Sequence, residues 1–193
     1  MADNFWSSAG EGVKDPKRGY RWLLFAGKSG IPSYILKKVS KPSFTVSETS
    51  HKYLNHTFWY PGRVEWNTVA LTLADPVSPD AAAIVVQAIK NSGYSPATSF
   101  SEEPRTMSKA KSVGALGNIE IRQIDAEGRK IESWILHNAW IKDVKLGELD
   151  YESDDLVNVE VELRYDYAHM EIANGATNPA PNATDNIWKP GSE

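Results

Sequence analysis

The 193-residue sequence contains no cysteine. Disulfides, thiolate metal ligands and thiol catalysis are therefore excluded. The sequence also lacks an apolar run of the roughly 20 residues that a membrane-spanning helix needs. Its first residues contain no basic segment followed by an apolar one, which a secretory signal would show. We therefore expect no membrane insertion, and a protein that is made and kept in a cytoplasm.

An excess of basic charge is also missing. The chain has 21 Lys and Arg residues against 25 Asp and Glu, which gives a net charge of -4. Nucleic-acid-binding domains normally carry a basic patch or stripe, so this balance argues against general nucleic-acid binding. Hydrophobic residues make up 41% of the chain, which is enough for a packed core, and the length suits one domain.

Motifs for catalysis and metal binding are absent as well. The four histidines (51, 56, 137 and 169) are not spaced as HExxH or HxH, and no GxSxG occurs. The segment GKSG at 27–30 lacks the glycine spacing of a phosphate-binding loop. The acidic segment GELDYESDDL at 147–156 lacks the EF-hand pattern, which favours a solvated turn over a calcium loop. We predict that the protein is not an enzyme and has no cofactor and no metal site.

Alternating apolar and polar residues predict a mainly β fold. The clearest pattern is LVNVEVELRYDYAHMEI, predicted as one strand, in which odd-numbered residues from 157 to 167 are apolar or aromatic. Its other face is polar and faces either solvent or a water-filled channel. A helix is predicted at about 79–92, with Ser78 as N-cap, Pro79 at the first helical position and Gly93 at the C-terminal end. A second short helix is predicted near 106–113. Together these elements indicate a β-barrel or β-sandwich with one flanking α-helix.

The segment HKYLNHTFWYPGRVEW at 51–66 is unusually aromatic. Neighbouring strand residues point to opposite faces, so Phe58, Trp59 and Tyr60 cannot all face one core. This excess of aromatic surface favours contact with other molecules. The alternative, that these side chains fold back onto their own core, stays open. We also expect a turn at Pro61-Gly62, and a bulge between Trp66 and Val69, where the apolar residues change parity.

Several segments resemble the tail tube proteins of contractile-tailed bacteriophages of the T-even type. The most specific are KPSF followed by HKYLNHTFWYPGRVEW, then ADPVSPDAA at the start of the helix, and QIDAEG with the following WILHNAWI. The resemblance covers about 20–168. It leaves 1–19 as an N-terminal arm and 173–193 as a C-terminal tail around a tube domain at 20–172.

The resemblance implies the β-barrel fold shared with type VI secretion tube proteins, and hexameric rings that stack into a hollow tube. DNA passes through that tube without specific binding. The implied partners are the tail sheath, a baseplate tube initiator, a tape-measure protein and a tail terminator, and the implied location is the tail of a virion. A long hairpin at about 43–66 is expected to reach the neighbouring ring.

The resemblance also suggests roles for particular residues. The expected inter-ring contacts are His51, Tyr53, Leu54, His56, Phe58, Trp59 and Tyr60. The polar strand face that is expected to line the lumen consists of Asn158, Glu160, Glu162, Arg164 and Asp166, together with Arg63, Glu65 and Asn67. A negative lumen would let DNA slide, because binding depends on cationic contacts to phosphate.

Three alternatives remain open at this point. The first is the inner tube of a DNA-free phage-like injection system, which would share the fold and the assembly. The second is a baseplate tube initiator. The third belongs to a different class: a monomeric β-sandwich that binds carbohydrate on Trp59, Tyr60 and Trp66.

Overall fold

The computed structural model describes residues 16–28, 30–96 and 105–172. These residues form ten β-strands and two α-helices. The strands are β1 (Trp22–Ala26), β2 (Leu36–Val39), β3 (Phe44–Tyr53), β4 (His56–Trp66), β5 (Val69–Ala74), β6 (Ile119–Ile124), β7 (Lys130–His137), β8 (Trp140–Lys145), β9 (Asn158–Arg164) and β10 (Tyr167–Ile172). The helices are α1 (Ala81–Asn91) and α2 (Lys109–Leu116). The prediction of a mainly β fold is confirmed, and the second, short helix is present as well.

Two four-stranded sheets enclose the core, and every strand pair is antiparallel. The first sheet has the order β1-β6-β7-β10, and the second has the order β2-β5-β9-β8. Alternation along β5, β6 and β9 places one side of each strand inside, and Leu73, Ile119 and Val159 are at most 1% exposed. Val85 of α1 and Leu116 of α2 join the same core cluster, so both helices pack against the sheets.

Helix α1 begins slightly later than the sequence suggests. Its N-cap is Asp80, whose side chain accepts a hydrogen bond from the Ala83 amide at 2.7 Å, so Ser78 and Pro79 lie outside the helix. A carboxylate at this position satisfies a free amide and also interacts favourably with the helix dipole. The C-terminal end is as expected, because Gly93 follows the helix with a φ of +102°.

The strand predicted over 156–172 is in fact two strands in different sheets. β9 ends at Arg164 in the second sheet, and β10 starts at Tyr167 in the first. Tyr165 in the link is 3% exposed, so it is buried like the other odd-numbered residues of β9. Tyr167 is 44% exposed and lies on the outer side of the first sheet. Apolar or aromatic residues occupy the odd positions as far as Tyr167, although the next buried residue is Ala168, so the sequence pattern runs one residue past the break.

Strands β3 and β4 form a separate two-stranded hairpin sheet. It pairs with neither of the two core sheets. The hairpin leaves the core between β2 and β5. Because the chain passes from the hairpin into a core strand after Trp66, the apolar residues change from even to odd positions between Trp66 and Val69. The predicted bulge there is wrong: the chain ends one strand at Trp66 and begins another, in a different sheet, at Val69.

Candidate assembly surface

The hairpin is exposed on both faces. All residues of β3 are exposed, and Trp66 is the one residue of β4 that is not. An isolated two-stranded ribbon is at best marginally stable in water, and exposed aromatic surface of this extent normally marks an interaction site. The hairpin therefore has the character of an element that is completed by another molecule.

The hairpin register sorts the predicted inter-ring residues onto faces. Tyr60 pairs with Thr49, Phe58 with His51, and His56 with Tyr53. Cross-strand partners share a face, and alternate residues along a strand share it too. Five of the seven predicted residues therefore lie on one side, which we call the aromatic face: His51, Tyr53, His56, Phe58 and Tyr60.

The other two predicted residues lie elsewhere. Trp59 pairs with Ser50 on the opposite face and is 62% exposed. Leu54 lies in the two-residue loop at the tip, where it has a φ of +49° and is 86% exposed. A left-handed conformation is unfavourable for leucine and is normally taken by Gly or Asn. The turn is therefore at Leu54-Asn55, and the turn predicted at Pro61-Gly62 is wrong.

Pro61 and Gly62 instead belong to a bulge within β4. Glu48 pairs with Pro61 and Val46 with Val64, so Gly62 and Arg63 together face Ser47. The Arg63 amide donates to Ser47 Oγ at 2.8 Å. A Cβ at Gly62 would lie 2.3 Å from that oxygen and 3.1 Å from the Ser47 carbonyl oxygen, which explains the glycine.

The root of the hairpin is fixed to the core by aromatic rings and hydrogen bonds. Trp66 contacts Phe44 edge-on at 5.2 Å between ring centroids, and its ring lies 5.9 Å from that of buried Tyr165. The Asn67 amide donates to the Ser43 carbonyl at 2.8 Å. Because Trp66 packs at the root and Tyr60 lies on the opposite face from Trp59, the three residues of the carbohydrate hypothesis do not form one platform.

The predicted lumen residues are distributed over several elements. Glu160, Glu162 and Arg164 alternate with buried residues on the polar side of β9, and Asn158 begins that strand. Asp166 lies in the link to β10, where it pairs with Lys109 and accepts from Asn138 at 2.8 Å. Arg63 and Glu65 belong to the hairpin, and Asn67 to its root. Of the five residues predicted on one polar strand face, four therefore lie on β9 and Asp166 does not, and the three further candidates lie on a different sheet or at its root.

Cations from neighbouring segments compensate the carboxylates on this polar side. Lys145 lies 3.5 Å from Glu160, and Lys142 lies 3.2 Å from Glu162. The Lys109 hydrogen bond, with help from Asn138, lowers the pKa of Asp166. The polar side of β9 therefore carries ion pairs, and its net negative charge is smaller than the β9 sequence alone suggests.

The acidity of the protein is concentrated in the loop between β8 and β9. Residues 146–157 contain five carboxylates and no basic side chain. Without them, the chain has 20 acidic residues against 21 basic ones. The loop also exposes apolar side chains: Leu149, Tyr151 and Leu156 are 70% or more exposed. The interpretation as a solvated turn misses this feature, which the spacing of the apolar residues could have indicated.

Each sheet also has open edges in the described part of the chain. β1 and β10 border the first sheet, and β2 and β8 border the second. Such edges have unpaired backbone groups that can bind a further strand. Together with the hairpin, these edges are the surfaces of the described chain on which a further strand could pair.

No site with the features of a metal centre occurs in residues 16–28, 30–96 and 105–172. His137 and His169 lie together on the outer side of the first sheet, with 2.6 Å between Nε2 and Nδ1. Burial, followed by the nearby His169, lowers the pKa of His137. In that same part of the chain, neither helix has the length and apolar character to cross a membrane.

Comparison with solved structures identifies similar folds. No protein-family model and no curated protein sequence matches the chain. A chain in the cryo-EM structure of the anti-feeding prophage cap (AFP tube terminating cap) superposes with a TM-score of 0.61 at 17% identity, covering 90% of this chain and 100% of that one. This chain and that one therefore share a fold.

Two further structures give the same result. A chain of the anti-feeding prophage baseplate has a TM-score of 0.57 at 16% identity, covering 82% of this chain and 97% of that one. A chain from the sheath-tube complex of an extracellular contractile injection system, PVC, in its extended state has a TM-score of 0.56 at 18% identity, covering 83% and 95%. The expected relationship to tail tube proteins is thereby confirmed at the level of the fold.

Proposed function

We propose that the protein is a structural subunit, without enzymatic activity, that forms hexameric rings. These rings stack into the hollow inner tube of a contractile phage tail, which conducts DNA. The observation that supports this proposal best is the hairpin, which is exposed on both faces and packs on the core only at its root. The similar folds support this assignment, because their structures come from tube, cap and baseplate assemblies.

In this proposal the aromatic face of the hairpin contacts the neighbouring ring. The open edges of the two sheets pair with other subunits around each ring, and ring closure then removes exposed edges. Stacking repeats one contact without closing, so it produces a filament. A tape-measure protein and a terminator would limit its length, a baseplate initiator would start it, and a sheath would surround it in the virion.

Electron microscopy of the purified full-length protein at increasing concentration tests assembly. Rings and stacked tubes with an open channel are the expected result. A protein that remains monomeric both alone and with a tube initiator would contradict the proposal.

The channel has a separate test. We propose that the polar side of β9 faces the lumen, with Glu162 as the residue to change. Glu162→Lys reverses the charge and removes the pairing with Lys142, so tubes should still form but DNA ejection should slow. Glu127→Lys, in the turn between β6 and β7, is the matched control, because it makes the same charge change at an exposed carboxylate that pairs with Arg129. Normal ejection by Glu162→Lys particles would contradict the lumen assignment.

A tube of a DNA-free injection system is the second candidate. It is favoured by the similar structures, which come from the anti-feeding prophage and from an extracellular contractile injection system. The two candidates share the same assembly and differ in cargo. Purified particles that hold nuclease-protected DNA would support the phage tail, and intact particles with an attached sheath but no DNA would support the injection system.

A further inference from the structure

One carboxylate is buried where two segments leave the core. Glu132 is on β7, and its side chain is 4% exposed. It pairs with the ammonium groups of Lys17 and Lys41. Burial alone would raise the pKa of Glu132, but these two lysines hold it below its ordinary value. A buried charge normally requires such pairing, so the site is specifically built around the carboxylate.

The adjacent strand completes the site. Gln123 on β6 lies opposite Glu132 in the register. Its Oε1 accepts from Lys41 Nζ at 2.7 Å, and its Nε2 donates to the Arg18 carbonyl at 3.4 Å. The two inward-facing polar residues thus hold two segments that are far from them in sequence.

Those segments are the start of the described chain and the root of the hairpin. Lys17 precedes β1, and residues 16–20 are exposed. Lys41 immediately precedes buried Pro42, and the carbonyl of the next residue, Ser43, closes the hairpin root by accepting from the Asn67 amide. Lys41 therefore lies directly before the point where the hairpin begins.

The two lysines differ from the carboxylate in one important respect. Their side chains are 49% and 51% exposed, so a released ammonium group can be hydrated, whereas the carboxylate cannot. Loss of one lysine leaves Glu132 paired with the other. Loss of both would leave a buried charge without a partner, which is strongly destabilising.

We propose that Glu132 is a positioning residue for assembly: through Lys41 it sets the direction of the hairpin, and Lys17 is a second cation that anchors only residues 16–20. This inference rests on the proposed function, because it treats the hairpin as the stacking element. It assigns Lys41 to assembly and Lys17 to the arm alone.

Full-length Lys41→Met, Lys41→Arg, Lys17→Met and Glu132→Gln variants test this inference, with Lys90→Met as control. The first measurement is hydrogen exchange of the Asn67 amide in the unassembled protein. The second is the critical concentration for assembly, from light scattering. Charge-assisted hydrogen bonds contribute more than neutral ones, so for Lys41→Met we expect both values to rise about tenfold or more.

The other variants separate positioning from general stability. Lys41→Arg should restore both values, and Lys17→Met should leave both within about twofold while the Arg21 amide, which donates to the Arg18 carbonyl at 3.2 Å, exchanges faster. Glu132→Gln should resemble Lys41→Met, because both lysines can then be hydrated. If Glu132→Gln does not fold, Lys41→Met and its arginine rescue still decide the question.

Two outcomes would overturn the inference. One is unchanged Asn67 exchange in Lys41→Met, and the other is an equal effect of Lys17→Met and Lys41→Met on assembly. Failure of the proposed function would look different: the wild-type protein would not assemble at all, while Asn67 exchange would still report on the role of Glu132.

Discussion

Replacing Phe58 with threonine tests the aromatic face of the hairpin directly. In the free chain Phe58 is 50% exposed. If a neighbouring copy covers the exposed half, about 100 Å² of a ring that presents roughly 200 Å² becomes buried on assembly. At ~25 cal/mol per Å² this burial contributes ~2.5 kcal/mol. Threonine is also favourable in a strand but lacks the ring, so the critical concentration for assembly should rise ~70-fold.

The assay is light scattering with sedimentation over a range of protein concentrations. Thr57→Ser is the matched control, because it changes the adjacent residue, on the opposite face, by a single methyl group. Thermal unfolding of the unassembled variant should be nearly unchanged, since the ring packs little in the free chain. An unchanged critical concentration, or a fall of many degrees in Tm, would refute the reasoning, because the second result would mean that the ring stabilises its own subunit.

Three further changes follow from local geometry. Leu54→Gly removes a leucine from a left-handed backbone conformation and should stabilise the free hairpin by about 1 kcal/mol, which slower hydrogen exchange would show. Weaker assembly of the same variant would show that the Leu54 side chain contacts a neighbour. Gly62→Ala places a Cβ against Ser47 and should destabilise the hairpin by about 1 kcal/mol, and Ser47→Gly in the same chain should restore part of the loss in hydrogen exchange. Because the pKa of His137 is lowered in the folded state, the unfolded state binds more protons, and the free energy of unfolding should fall as pH drops from about 7 to 5. Chemical denaturation of His137→Gln should show a smaller fall. A pH profile identical to that of the wild type would contradict the assignment.

The sequence predicts the elements whose pattern is local. Alternation in β9 identifies its buried face, because burial on one side requires a period of two. The helix is also predicted, although its start is placed too early: Ser78 and Asp80 are both good N-caps, and only the fold selects between them. The aromatic excess near Phe58 is local as well, and it indicates a contact surface because three consecutive aromatic residues of a strand cannot share one core.

Features that depend on which strands pair could not be predicted in this way. The break at Asp166 moves the buried positions from odd to even residues, but the aromatic residue Tyr167 continues the odd-numbered pattern one step further, so the sequence suggests one long strand. Pro61 and Gly62 usually indicate a turn, but here they form a bulge, because the hairpin continues past Ser47 to Leu54. The Glu132 site joins residues that are far apart in the sequence, and no local pattern reveals it.

The acidic loop at 146–157 gives the subunit an uneven charge distribution. The rest of the chain is close to neutral, so the net negative charge of each copy is concentrated in this one loop. In copies related by rotation about one axis, these acidic loops lie at the same level along the axis, so they repel one another. Salt screens such repulsion over roughly 10 Å at 0.1 M. Ring formation should then become easier as ionic strength rises, which is the reverse of an assembly held together by ion pairs.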